Sequence, residues 1–155
     1  MISSEVEIRI LRYGDEGILA NVSDGVFDNP IDPQRTTEFL SDPNHHIAAA
    51  IDNGIVVGFV SAVCYVHPDK QPELWLNEAG VASSHQGQGI AKSLLRTMLE
   101  IGRELNCGQA WVLTNRSNVP AMKLYASVGG KEDADDIAMF NFDLYNDSQE
   151  RGKLK

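Results

Sequence analysis

VASSHQGQGIAKSLL, residues 81–95, decides how this chain is read. A β-like Val81-Ala82 runs into a glycine pair, Gly87 and Gly89, and then into residues of helical character. A glycine-rich turn that opens a helix is an anion site. Backbone N–H groups without intrahelical partners and the positive end of the helix dipole point the same way there. The stretch predicts a phosphate-bearing ligand, and the spacing of its glycines decides which one.

Two nucleotide templates fail. A Walker A loop needs G-x-x-x-x-G-K-[ST]. Lys92 and Ser93 supply its end, but Gln86 and Ala91 stand where its glycines belong. A dinucleotide fingerprint needs G-x-G-x-x-G after the first strand. Gly87 and Gly89 begin it, Lys92 occupies the third glycine position, and the turn follows the fourth strand candidate.

Outward from the turn, the pattern gives an alternation of elements. Upstream, Val6–Tyr13 alternates as a strand. Ile18, Val22 and Val26, four apart, predict a helix, and Asp32 with Pro33 predicts the N-cap and first position of a second helix reaching Leu40. His46–Ile51 and Ile55–Tyr65 flank Asn53-Gly54, a strong hairpin signal, and Glu73–Val81 reads as the next strand. Downstream, Gly87–Leu105 predicts a long amphipathic helix with Ile90, Leu94, Met98, Ile101 and Leu105 on one face. Ala110–Thr114 reads as a short strand, Asn118 to Gly129-Gly130 as a helix, and Ile137–Leu144 as a last strand. The expectation is a mixed α/β (α+β) single domain over residues 1–145, a mostly antiparallel sheet flanked by helices, with a polar tail over 146–155.

Composition narrows the classes. At 155 residues and 43% hydrophobic, the chain can bury a real core. Its net charge of −9 opposes a nucleic-acid binder and suits a cationic small molecule. No apolar run has membrane-spanning length and the N-terminus lacks a signal-peptide core, so a cytoplasmic, membrane-free protein is expected. Cys64 and Cys107 lie in apolar stretches and read as buried free thiols. His45, His46, His67 and His85 have no metal-site spacing, so no metal is expected; His85, beside the glycine turn, reads as a surface residue and not a catalyst, and His45 and His46 are assigned no role.

Gln86-Gly87-Gln88-Gly89-Ile90-Ala91 fits Q/R-x-x-G-x-G/A at every position, and Asn118-Val119-Pro120-Ala121-Met122-Lys123-Leu124-Tyr125 fits N-x-x-A-x-x-x-Y, followed by Gly129-Gly130. Two motifs in this order resemble the GNAT family of acyl-CoA N-acyltransferases over roughly Val6 to Leu144. The resemblance implies acetyl-CoA as cofactor. Its pyrophosphate would lie against the N–H groups of Gln86, Gly87, Gln88, Gly89, Ile90 and Ala91, and its pantetheine between the strands ending near Val81 and Thr114. It also implies Val81 N–H as oxyanion donor, Tyr125 as cofactor-facing general acid, and Asn118 as both helix cap and cofactor contact. Glu78, on the strand leading to the acetyl group, is the candidate general base. As an exposed strand glutamate it also has an ordinary reading.

The acceptor is read from acids and from a narrower resemblance. Asp24, Asp28 and Asp32 form one acidic cluster and Glu132, Asp133, Asp135 and Asp136 another. With Glu73 and Glu78 they are expected to form a cup for a polycation, the alternative being a solvated acidic surface. The stretch from Glu38 to Ala91, with its IAAA run, the Tyr65 to Pro72 segment and Glu78 three residues before Val81, resembles type I aminoglycoside 3-N-acetyltransferases, as does DDIAMFNFDL at 135–144. This chain departs from that group in Glu78-Ala79-Gly80-Val81, where acidic-Leu-Ala-Val is more usual, and in His85-Gln86, which replaces an arginine-rich approach to the turn. Acetylation of an aminoglycoside amine, a resistance activity, is the implied function. A polyamine or other small-amine acetyltransferase and a non-catalytic acyl-CoA-binding module are the alternatives. Homodimer formation through the last strand is an expectation by analogy.

Overall fold

The Asn53-Gly54 pair sets up the sheet. Both residues have positive φ, 51° and 77°, the geometry of a type I′ turn, whose twist matches that of the strands it joins. A computed structural model describes residues 5–145, and the polar tail expected at 146–155 lies outside the described residues. Around the turn, β2 (His45–Asp52) and β3 (Ile55–Tyr65) pair antiparallel, with β1 (Val6–Ile10) on the outer side of β2. β4 (Glu73–Val81) pairs antiparallel with β3, and β5 (Gln109–Trp111) pairs parallel with β4. Among the described residues the sheet is mixed and five-stranded in the order β1-β2-β3-β4-β5.

Helices α1 (Pro33–Ser41), α2 (Ile90–Glu104) and α3 (Val119–Ser127) flank it. The long helix buries the stripe read from the sequence: Ile90, Leu94, Met98 and Ile101 lie in the core with Leu95, against Val56, Val60 and Leu74 of the sheet. Leu105, expected on that stripe, caps the helix and is partly exposed. Burial at about 25 cal/mol per Å² makes such a stripe the main reason the helix holds. Cys64 and Cys107 are free thiols whose sulfurs lie 3.6 Å apart, and burial first, then Cys64, pushes the Cys107 thiol up to about 11.

Two expected elements are absent from the described residues. Instead of a helix through Ile18, Val22 and Val26, a short 3₁₀ turn, Glu16–Ala20, gives way to extended chain. Val22 bridges Val56, with Ser23 N–H on Val56 O and Val56 N–H on Asn21 O, both at 2.9 Å. Gly17 and Gly25, the latter at φ 79°, interrupt helix propagation, and the β3 backbone supplies the hydrogen bonds. The strand expected at Ile137–Leu144 does not form: residues 131–143 are neither helix nor strand, and the sheet ends at β5. β1 also stops at Ile10, because Gly14 turns at φ 100° and Asp15 accepts the Arg12 N–H.

Candidate active site

The site opens where two parallel strands stop pairing. β4 and β5 are in register at Glu73–Gln109, Leu74–Ala110 and Trp75–Trp111, and no further. Trp75 and Trp111 stack there at 5.5 Å, and Trp111 Nε1 donates to Tyr65 Oη at 2.7 Å. Two residues on, β4 carries a bulge. Ser61 faces Glu78 while Ala62 faces Leu76, leaving Asn77 as the extra residue. Beyond the bulge, the β4 edge from Glu78 to Val81 has no strand beside it on the β5 side, among the described residues.

Val81 is oriented by its neighbour. Ala82 N–H donates to Val57 O of β3 at 2.8 Å. Successive N–H groups of an extended chain point to opposite edges, so the Val81 N–H points away from β3, toward the open side. Its carbonyl shares that side and accepts from Gln86 Nε2 at 3.1 Å. This hydrogen bond ties the glycine turn to the end of β4. Gly80 has a separate reason to be glycine: a Cβ there would collide with the Val26 carbonyl, since the loop after the 3₁₀ turn lies across this face.

The turn itself has the form expected of an anion cradle. Gly87 and Gly89 have φ 77° and 81° and face open space, so backbone conformation rather than crowding demands glycine. Gly89 is the N-cap of α2, with no side-chain cap. The first bond into the helix is Ser93 N–H to Gly89 O at 3.1 Å, so the amides of Ile90, Ala91 and Lys92 have no intrahelical acceptor. Chain geometry thus aims a row of donors and a helix dipole at one place, which fits a pyrophosphate.

Tyr125 and Asn118 sit on α3. Asn118 Oδ1 accepts from Ala121 N–H at 3.2 Å as N-cap, and Pro120 opens the first turn. The helix ends in a Schellman arrangement: Gly129 at φ 95°, with Gly130 N–H on Tyr125 O at 2.9 Å and Gly129 N–H on Ala126 O at 3.1 Å. Tyr125 is half-buried, and burial pushes its phenol above the ordinary tyrosine value, so it keeps its proton. It lines a cavity of about 940 Å³ shared with Trp75, Asn77, Thr114, Asp135 and Asp136.

The acids do not assemble as the cup expected. Asp24 and Asp28 line a different cavity, of about 640 Å³, between the 3₁₀ turn and α1. Asp32 is engaged as the N-cap of α1, accepting the Arg35 N–H at 3.0 Å. Glu73 is a correction in kind. It is 6% exposed, at the opposite end of β4 from Val81. There Gln109 Nε2 donates to it at 2.5 Å, and Lys70 Nζ and His67 Nε2 lie at 3.1 and 2.7 Å. The Gln109 bond first, then Lys70, holds its carboxyl below the usual range. Glu73 therefore braces the β4–β5 junction, with its carboxylate engaged by Gln109, Lys70 and His67.

Glu78 is exposed on β4. Strand pairing puts it on the same sheet face as Ser61, Phe59 and Trp75, opposite α2. His85, read from the sequence as a surface residue and not a catalyst, has a structural role. Its Nε2 lies 2.7 Å from Asp52 Oδ2 and its Nδ1 2.7 Å from Ser84 Oγ, anchoring the approach to the turn on the β2–β3 hairpin. No local pattern announces a partner 33 residues away. Among the described residues no cluster of metal-binding side chains forms, and no helix is long and apolar enough to cross a membrane.

Comparison with known proteins agrees with this geometry. The profile of the Acetyltransferase (GNAT) family matches residues 19–129. This chain belongs to the GNAT family. Members of that family are acetyltransferases that use acetyl-CoA. This chain is 34% identical over 122 residues to human N-acetyltransferase 8B, an alignment covering 78% of this chain and 49% of that protein. The chain spans less than half the length of the curated relatives it matches. An aminoglycoside acetyltransferase from an uncultured soil metagenomic sample, solved with sisomicin, shares the fold at a TM-score of 0.79 and 17% identity, over 93% of this chain and 99% of that one. AAC(6')-Iy, solved with a CoA-linked acetylneamine analogue, shares it at 0.73 and 20%, over 90% and 99%.

Proposed function

We propose that this chain transfers an acetyl group from acetyl-CoA to an amine of a polycationic small molecule, an aminoglycoside foremost. The observation that carries the reading is the 940 Å³ cavity at the β4–β5 divergence, which joins the proton-bearing Tyr125 to the carboxylates of Asp133, Asp135 and Asp136. The glycine turn supports one end of this reading and the acids the other.

When bound, acetyl-CoA supplies the acetyl thioester. The Gln86–Ala91 amides hold its pyrophosphate, and Asn118 adds a contact from the start of α3. Asp135 and Asp136 attract and orient the cationic amine. Glu78 takes a proton from the ammonium, so that nitrogen has a lone pair to attack with. The Val81 N–H, on the open side of β4, would donate to the thioester carbonyl oxygen of bound acetyl-CoA. Tyr125 O–H would give its proton to the sulfur as the carbon–sulfur bond breaks, and the second proton of the acylated nitrogen would return to the phenolate. The acid count suits an aminoglycoside's several amines, and the sequence resemblance together with the two fold neighbours, both aminoglycoside acetyltransferases, points the same way.

The test is thiol release from acetyl-CoA with gentamicin-type aminoglycosides, with spermidine, and with buffer alone. Release with aminoglycosides alone is the expected result. Release with spermidine alone would replace the acceptor by a polyamine. Release with neither, alongside measured acetyl-CoA binding, would overturn the catalytic reading in favour of an acyl-CoA-binding module.

A further inference from the structure

Cys64 and Cys107 are 43 residues apart in sequence, and their sulfurs lie 3.6 Å apart in space. Each thiol is delivered there by fixed backbone. Cys64 is next to last in β3. Its N–H donates to Asn44 O at 2.8 Å, and it pairs with Leu74 of β4. Alternation along β3 puts it on the face of Gly58, where Ile90 and Leu94 of α2 lie against the sheet.

Cys107 is placed by the end of α2. Asn106 takes φ 59°, a conformation that asparagine tolerates better than most residues. The N–H groups of Asn106 and Cys107 then return to Arg103 O and Gly102 O, both at 3.0 Å, a Schellman end to the helix. One residue on, Gly108 N–H donates to Pro72 O at 2.8 Å and fixes the other side. A strand ladder and a helix cap therefore hold the two sulfurs together. They sit at the Glu73 end of β4, away from Val81, and the proposed reaction makes no use of them. Cys64 is 8% exposed, while Cys107 is partly exposed and gives a reagent its way in.

We propose that Cys64 and Cys107 form a reversible redox site, a dithiol that exchanges with a small-molecule disulfide of the oxidised-glutathione type to give a disulfide across the fold. The Cys107 thiolate attacks one glutathione sulfur, a protein–glutathione disulfide forms, and the other glutathione leaves as a thiolate that takes up the proton Cys107 lost. The Cys64 thiolate attacks Cys107 Sγ, the protein disulfide forms, and the second glutathione leaves and takes up the proton from Cys64. The two protein thiols are oxidised and the glutathione disulfide is reduced to two thiols. The bond ties the end of α2 to β3. It closes a loop that contains β4, the glycine turn and α2, and so restrains the unfolded chain over the whole cofactor cradle.

The test is incubation of the full chain with excess oxidised glutathione, followed by intact mass, thiol titration after unfolding, and peptide mapping. Burial keeps the Cys107 thiol protonated near neutral pH, so the incubation is long and mildly alkaline. The expected wild type is lighter by two hydrogens, has no free thiol, and yields a peptide pair joined through Cys64 and Cys107. Its thermal midpoint rises by about 5 °C or more and returns on reduction with dithiothreitol. Cys64→Ser removes the resolving thiol and should stop at the glutathione adduct. Cys107→Ser should stay unmodified, because Cys64 is buried. The wild-type mapping decides the matter even where a serine variant fails to fold. A wild type that keeps both thiols, stops at the adduct or links two copies overturns the proposal, as does a bond that leaves the midpoint unchanged or lower.

Discussion

His85 and Asp52, 33 residues apart in sequence, meet through a 2.7 Å contact that fastens the entrance of the glycine turn to the β2–β3 hairpin. The Asp52 carboxylate accepts from Nε2, which leaves Nδ1 as the acceptor for the Ser84 hydroxyl when the ring is neutral. Neither side chain reaches the amides of the turn, so their effect runs through the backbone of Ser84 to Gln86. Asp52→Asn is expected to weaken acetyl-CoA binding about 3- to 10-fold, the scale of one charge-assisted hydrogen bond partly retained. Calorimetric titration with acetyl-CoA measures it. Unchanged affinity would mean that the turn holds its shape without the anchor.

Gly89 tests the turn directly. A Cβ would meet nothing within 4 Å, so the penalty of Gly89→Val is conformational: a β-branched residue at φ 81°. Holding a non-glycine residue there costs about 1–2 kcal/mol. A thermal melt is expected to fall by a few degrees and acetyl-CoA affinity by more than about tenfold. Gly89→Asn, which tolerates positive φ, should recover most of both. If valine binds acetyl-CoA as glycine does, the pyrophosphate sits elsewhere.

Tyr125 keeps its proton because burial raises its pKa, so it can donate but has little tendency to ionise first. Tyr125→Phe retains the ring and removes the proton. A fall in kcat of about 10²-fold, at the low end for general acid catalysis, with acetyl-CoA affinity within about twofold, is the outcome expected of a donor. Steady-state kinetics beside direct binding separates the two, and an unchanged kcat would assign Tyr125 to packing alone.

Glu78 stands past the Asn77 bulge, on the sheet face opposite α2. As the base it should be replaceable by Gln only at a loss of about 10²-fold in kcat/KM at neutral pH. At high pH, where more of the acceptor is already free amine, the deficit should narrow. A pH–rate comparison of wild type and Glu78→Gln decides this, since a merely structural glutamate would give a deficit independent of pH.

The frame was legible in the sequence wherever one chemical signal had one structural solution. Asn53-Gly54 forced the hairpin, Asp32-Pro33 the start of α1, and the Ile90, Leu94, Met98 and Ile101 spacing the buried face of α2. The glycine turn was legible because positive φ at Gly87 and Gly89 is nearly a property of the residue. Where two solutions compete, local pattern misleads. Val22 and Val26 have helical spacing, but β3 offered Val22 a backbone partner. Ile137–Leu144 has strand alternation, but alternation alone does not make a strand without ladder pairing, and among the described residues 137–143 are neither helix nor strand. Glu73 looked like an acid facing a ligand because Gln109, which lies against it, is distant in sequence. The anchoring role of His85 was hidden for the same reason, its partner Asp52 being 33 residues away.

Two groups inside the fold shape its acid response. His46 has its pKa lowered, by burial first and then by His45, and its Nε2 is buried without a hydrogen-bond partner. Protonating that ring places a charge where no acceptor meets it, so the native state holds His46 neutral while the unfolded chain takes up the proton. Its contribution is therefore complete above the ordinary histidine value of about 6.5 and declines as pH falls below it, levelling off under the lowered folded value. Glu73 acts lower on the scale. Its folded pKa is depressed by Gln109 and Lys70, so its contribution is complete above the ordinary glutamate value of about 4.3 and is lost as pH falls through the folded value. Stability measured by urea unfolding is thus expected to fall in two stages on acidification, the first beginning near about pH 6.5 and the second near about pH 4.3. His46→Gln should remove the first stage and leave the second, and Glu73→Gln should do the reverse while lowering stability at neutral pH. A single acid transition that both variants leave unchanged would place the acid response in other groups.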